Sequence, residues 1–208
     1  MRGLFRLWEP LHTWSLAVEE QFYIFLPLFI LLLTRWRWGL LGALVAVWAL
    51  SLAACVLMTP THPEATFYLF PFRAWELLSG VLLAIWGYER GSDFRGYAPL
   101  SWLGLILVLV SIAIIPAGPL FPGLLAILPV LGTVLLLANG TGENRVNAAL
   151  RHPYAVFFGL ISYSLYLWHW PVFVLSDYVR DGYTNILETA VWISLSVTLA
   201  WVSWRFVE

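Results

Sequence analysis

Residues 38–58 read WGLLGALVAVWALSLAACVLM, and none of them is charged. A helix needs about 20 predominantly apolar residues to cross a bilayer, and this run supplies them. Working outward from it, similar runs predict seven helices, at 13–33, 38–58, 72–87, 99–115, 121–138, 154–175 and 185–206. Breakers fill the connectors: Thr59-Pro60, the stretch from Pro116 to Pro122, and Asn139-Gly140-Thr141-Gly142. Asn139-Gly140-Thr141 also fits the glycosylation-acceptor pattern, which three residues match by chance in many chains. Over all 208 residues, 61% are apolar and only 11% charged. Soluble domains carry about 25% charged residues. This composition excludes a water-soluble enzyme, a disordered chain and a nucleic-acid binder that relies on a basic surface. The fold class is all-α: a polytopic transmembrane helix bundle in the lipid bilayer, read as a single domain over residues 1–208.

Cys55 is the only cysteine, which excludes an intrachain disulfide and a thiolate-rich metal site. The four histidines are scattered, and none pair at ligand spacing, so no metal site is expected. All eleven basic residues are arginine. Arg35 and Arg37 follow helix 1, Arg90 and Arg95 follow helix 3, and Arg145 and Arg151 follow helix 5. The alternate connectors hold only Arg180. The positive-inside rule then puts the start of helix 1 outside and Glu208 on the cytoplasmic side. Arg2 and Arg6 oppose that orientation.

Four charges fall well inside the expected spans: Glu19, Glu20, Arg73 and Glu76. An ionisable group there costs about 2.5–3.5 kcal/mol on insertion scales and is by default a functional-site hypothesis. On helix 1, His12, Ser15, Glu19 and Tyr23 share a stripe about 80° wide, while Glu20 points about 100° away from Glu19. These acids act on a substrate or tie helices together through hydrogen bonds. His12, Trp14, Ser15 and Tyr23 are candidate substrate contacts around them. Arg73 and Glu76 stand three apart and can pair on one helix face. Alternatively, the planar fork of Arg73 holds an anionic group such as a phosphate. Gly80, one further turn along, reads as a point of close helix contact. On helix 6, Ser162, Tyr166 and His169 share a face, with Trp168 and Trp170 beside the histidine. That region is an aromatic interfacial belt with a Pro171 kink, or a polar pocket with His169 as proton carrier. The orientation puts all three clusters in the outer half of the membrane, which favours one shared cavity.

The same residues carry a family likeness. His12-Thr13-Trp14-Ser15-Leu16-Ala17-Val18-Glu19-Glu20-Gln21-Phe22-Tyr23 resembles the central signature of the membrane acyltransferase 3 family. Arg73-Ala74-Trp75-Glu76-Leu77-Leu78-Ser79-Gly80 resembles its next block, and residues 161–171, ISYSLYLWHWP, its late block. Trp204-Arg205-Phe206-Val207-Glu208 resembles the stretch that closes its last helix. The blocks follow in family order and span nearly the whole chain. The resemblance implies a bundle of about ten helices that transfers acyl groups, often acetyl, from acyl-CoA to hydroxyls. The acceptors it implies are exported or cell-surface glycans, peptidoglycan, lipid-linked sugars or antibiotics. It implies no bound cofactor, acyl-CoA being a donor substrate, and a bacterial cytoplasmic (inner) membrane location.

By position, Glu19 and Glu20 fall on signature acids, Arg73 and Glu76 on second-block residues, and Tyr166 and His169 on late-block residues. The resemblance also marks a departure. The family's first helix carries an Arg, ten intervening residues and a His as its favoured base, and no His of this chain stands in such a pair. About three helices are therefore expected before Met1, as a further partner of the residues present, and the chain alone is expected to be inactive. Within this sequence a general base can only be His169, His12 or a glutamate. A non-catalytic membrane carrier or binding protein on the same bundle is the alternative.

Overall fold

The computed structural model describes residues 14–35, 39–89, 96–116, 118, 120–180 and 186–208, all outside strands. Ten helices are present among them: α1 (Trp14–Arg35), α2 (Leu40–Met58), α3 (Pro63–Tyr68), α4 (Phe70–Glu89), α5 (Ala98–Ile114), α6 (Ile127–Ala138), α7 (Arg145–Leu150), α8 (Pro153–Leu160), α9 (Ser162–Arg180) and α10 (Ile186–Phe206). A 3-10 turn, Leu124–Ala126, leads into α6. By length and composition, α1, α2, α10 and the stretch Pro63–Glu89 are each able to cross a membrane. The pair α8 and α9 passes the same test as one bent span, whereas α5 and the 124–138 stretch are shorter. The expected all-α membrane bundle is what forms, because lipid leaves backbone groups no partners outside the helix.

Three details depart from the sequence reading. The stretch 63–68, read as a connector, is helical: Pro63 opens it and Glu64 sits in its first turn, both favourable at a helix start. Arg145–Leu150 also forms a short helix inside an expected connector. The sixth expected helix breaks at Ile161, where α8 and α9 meet at 64°. There the Ser162 hydroxyl donates to the Gly159 carbonyl at 2.7 Å, competing for backbone that a straight helix would use. Pro171, the anticipated kink, lies inside α9, which continues past it.

The chain divides into two compact units. In Ser15–Ala148, α2 packs along α4, α4 touches α6, and α5 packs along α6. Phe22 of α1, Leu44 of α2, and Ala74 and Leu78 of α4 form one buried cluster. Phe25 of α1 stacks on Phe70 of α4 with ring centroids 5.8 Å apart. A second cluster joins Cys55, Trp75 and Ala126, flanked by Phe72, Phe121 and Ile127. The first turns of α4 and α6 therefore lie side by side. Helices α5 and α6 meet through glycine: a Cβ on Gly104 would stand 2.7 Å from the Gly132 carbonyl, and one on Gly132 2.8 Å from that of Gly104. Such an approach has no room for a side chain. In Ala149–Glu208, α9 packs along α10.

Gly104→Val or Gly132→Val should push α5 off α6 and cost about 1–3 kcal/mol, as overpacking does. Gly42→Ala, where an added Cβ meets nothing within 4 Å, should be neutral or stabilising. Thermal unfolding of the detergent-purified protein, followed by size-exclusion fluorescence, checks both.

Candidate functional site

Helix α4 carries the charged pair. Arg73 and Glu76 lie one turn apart, so their side chains stand over each other on one face. The guanidinium donates twice to the carboxylate: Nε to Oε1 at 3.0 Å and Nη2 to Oε2 at 2.7 Å. Both side chains are largely enclosed, 14% and 19% exposed. The Arg73 Cζ also sits 5.7 Å from the centroid of the Phe67 ring, a cation–π distance. Of the two readings for Arg73, the ion pair is formed, and an anion reaching this fork would compete with Glu76.

The pair opens on a cavity of about 370 Å³ between α4 and α6. Arg73, Glu76, Leu77 and Gly80 form the α4 wall, and Pro129, Val130, Thr133, Val134 and Leu137 the α6 wall, with Phe121 and Ala126 beside them. Gly80 makes no close helix contact, contrary to the sequence reading: a Cβ there meets nothing within 4 Å. It faces the cavity because α6 begins next to Phe72 and Trp75 and leaves space two turns later. A larger cavity, about 740 Å³, lies across Val130 and Val134, which line both. Its wall is mainly apolar and includes Trp48, Trp75 and Trp86. Within it, the Trp48 indole N–H donates to Ser79 Oγ at 2.8 Å, and Ser79 donates to the Trp75 carbonyl.

The signature acids lie on α1 of the same unit. Glu19 is half-buried and Glu20 exposed, as their different directions on the helix require. Ser15 is half-buried, and Tyr23 is 67% exposed beside the buried Phe22. The polar stripe thus runs along the edge of the face that Val18 and Phe22 bury. His12 lies outside the described residues, as does the side chain of Trp14, and so do Arg2, Arg6, Arg37, Arg90 and Arg95, used above for orientation.

In the unit Ala149–Glu208, Ser162, Tyr166 and His169 of α9 do share a face. With Ile193, Ser196 and Val197 of α10 they line a third cavity, about 470 Å³. His169 Nδ1 lies 3.0 Å from the Leu165 carbonyl. A carbonyl only accepts, so Nδ1 donates in this contact. The Tyr166 and His169 rings stand 5.6 Å apart. Buried Ser164 donates to Glu208 Oε1, which ties the late block to the closing block.

Sequence reasoning missed this tie, the α6 side of the Arg73 cavity and an asparagine knot. Tyr97 N–H donates to Asn139 Oδ1 at 2.9 Å, and Asn147 Nδ2 donates to the Asn139 and Gly142 carbonyls, each at 2.7 Å. Asn139 is buried with both ends of its amide engaged, so the glycosylation pattern there is structural. The cluster of three asparagines at 139, 144 and 147 was the available signal.

The acyltransferase domain model of the acyltransferase 3 family matches residues 6–205. The chain belongs to this family. It is 30% identical to peptidoglycan O-acetyltransferase OatA of Listeria monocytogenes over 98% of its own length and 35% of that protein. It is 29% identical to BcsY of Komagataeibacter xylinus, a candidate membrane-bound transacylase, over 95% of the chain and 50% of the relative. A candidate O-acetyltransferase of Staphylococcus aureus (strain COL) is 32% identical over 95% of the chain and 35% of its own length. The chain thus spans between a third and a half of these relatives. No solved structure matches it. Family and apolar helices together make it an integral membrane protein.

Removing one member of a buried ion pair strands the other, at about 3–5 kcal/mol. Arg73→Ala should therefore lower the thermal midpoint sharply, and adding Glu76→Ala should recover part of the loss. A double-variant loss equal to the sum of the Arg73→Ala and Glu76→Ala losses would mean the pair is not coupled.

Proposed function

We propose that the protein is part of a membrane O-acyltransferase that moves an acyl group, acetyl foremost, from acyl-CoA to a hydroxyl of an exported or cell-surface glycan. The observation that carries this reading is the likeness to a peptidoglycan O-acetyltransferase along 98% of the chain. In the reaction, the acceptor oxygen attacks the thioester carbonyl, the C–O bond forms, and the C–S bond breaks. The hydroxyl proton passes to a base and then to the departing CoA thiolate. Catalysis needs that base, and donors for the oxyanion that develops on the carbonyl.

Within the chain, His169 is the residue this reading selects to carry a proton or to orient the base. It lines the cavity between α9 and α10, with Nδ1 3.0 Å from the Leu165 carbonyl. Ser162 and Tyr166 supply hydroxyls on the same wall. Glu19 and Glu20 act as signature acids toward donor or acceptor, with His12, Trp14, Ser15 and Tyr23 as further contacts on that side. Arg73 and Glu76 act at the α4–α6 cavity that they line. A bacterial inner-membrane location, with the C-terminus cytoplasmic, follows from the arginine pattern and the exported acceptor.

In the full gene product, His169→Gln should cut O-acyl incorporation into cell-surface glycan about a hundredfold, the usual scale for losing a general base. Glu20→Ala should cut it at least tenfold. Glu20 is exposed, so the membrane level of that variant should match wild type. Wild-type incorporation in either variant, at equal membrane level, removes that residue from the machinery.

A further inference from the structure

We propose that Glu208 is a positioning residue for the acyl transfer: by accepting the Ser164 hydroxyl it fixes the rotation of α9 that turns Tyr166 and His169 into the cavity between α9 and α10. The inference rests on the acyltransferase reading above, in which His169 serves the proton transfer. The first turn of α9 needs an anchor of its own. The run bends by 64° at Ile161, so α8 does not carry α9 on in its own direction. Ser164 stands in that first turn and is fully buried. Its hydroxyl reaches Glu208, 44 positions along the chain and just beyond the end of α10. Ser194, Ser196 and Thr198 of α10 donate instead to carbonyls of their own helix. Lipid tails are as apolar as the packed side chains, so helix contact there has no hydrophobic drive, and a hydrogen bond across it carries much of the orientation.

Helix geometry couples this anchor to His169. At about 100° per residue, Ser164 stands about 140–160° round α9 from Ser162, Tyr166 and His169. Glu208 therefore grips one flank of α9, while the cavity, with Ile193, Ser196 and Val197 of α10 on its wall, lies along the other. Buried Val172 falls between the two flanks. A roll of α9 that breaks the grip swings the other flank away from its cavity wall. The same turn holds the imidazole: Leu165 follows Ser164, and its carbonyl lies 3.0 Å from His169 Nδ1. Glu208 thus acts through Ser164 and the turn that bears it, not on the reacting atoms. A displacement of about 1 Å in such a group costs about a hundredfold in rate.

The test uses the full gene product purified in detergent, with glycan prepared from its own cell wall as acceptor and acetyl-CoA as donor. Glu208→Ala and Ser164→Ala should each lower kcat about tenfold or more, with KM for acetyl-CoA within about twofold of wild type. Glu208→Gln keeps an oxygen that accepts from Ser164 and should recover about half or more of the wild-type kcat. The double Ala variant should be no slower than the slower single variant, since the same bond is lost in all three. A second readout needs no turnover. Diethyl pyrocarbonate modifies neutral imidazole, and mass spectrometry reads each histidine separately. His169 should label about threefold faster or more in Glu208→Ala and Ser164→Ala than in wild type or Glu208→Gln, with exposed His62 of the other unit unchanged. A purely structural tie lowers the thermal midpoint and leaves kcat and the His169 labelling rate at their wild-type values. Either readout at its wild-type value overturns the inference, as does a Glu208→Gln variant as impaired as Glu208→Ala. Should Glu208→Ala fail to accumulate in the membrane, Ser164→Ala, which removes one oxygen, decides by the same two readouts. Should wild type transfer nothing, the acyltransferase reading fails for that acceptor, and the labelling rates alone decide whether Glu208 sets the face that carries His169.

Discussion

Hydrocarbon offers no hydrogen bonds, so most polar groups in these helices have to be satisfied by the helices themselves. Much of the architecture follows from that constraint. Thr59, Ser111 and Thr133 turn their hydroxyls back onto carbonyls four residues earlier. Ser51 does more: it donates to the Pro71 carbonyl at 2.6 Å and accepts from the Trp75 N–H at 3.1 Å. One hydroxyl of α2 thus bridges the first turn of α4. Trp48 repeats the link one turn of α2 away by donating to Ser79. These bonds fix the rotation of α4 against α2, and that rotation turns Arg73 and Glu76 toward α6.

The ion pair obeys the same constraint. Arg73 keeps its charge on a spanning helix because Glu76 accepts two of its hydrogen bonds from the next turn. The pair makes the cavity beside it polar at one end only. Where α6 passes Trp75 it packs; two turns on, it leaves Gly80 uncovered. In the C-terminal unit the constraint acts through His169, whose ring proton goes to the Leu165 carbonyl, and through Ser164, held by Glu208. Two sequence blocks that are 44 positions apart at that bond become one hydrogen-bonded structure.

The helical membrane class was legible because a bilayer imposes a length and apolar runs met it; helix number was not, since seven helices were expected and ten form among the described residues. The Arg73–Glu76 pair was legible because spacing within one helix is a local property. Local competition was harder to read. The α8–α9 run bends at Ile161 while α9 continues past Pro171, although proline is the stronger written signal. Gly80 was misread for a related reason. A glycine in a spanning helix looks the same in sequence whether another backbone or a cavity lies opposite it.

From the sequence alone came the membrane class, the family blocks and the side chains that share a helix face, since all depend on residues near one another along the chain. The tertiary structure decided which face of α4 meets which face of α6, that Gly104 and Gly132 touch while Gly80 does not, and that Ser164 reaches Glu208. Those outcomes depend on helix rotation and approach. Rotation and approach are set by hydrogen bonds and packing between segments far apart in sequence, which no local pattern encodes.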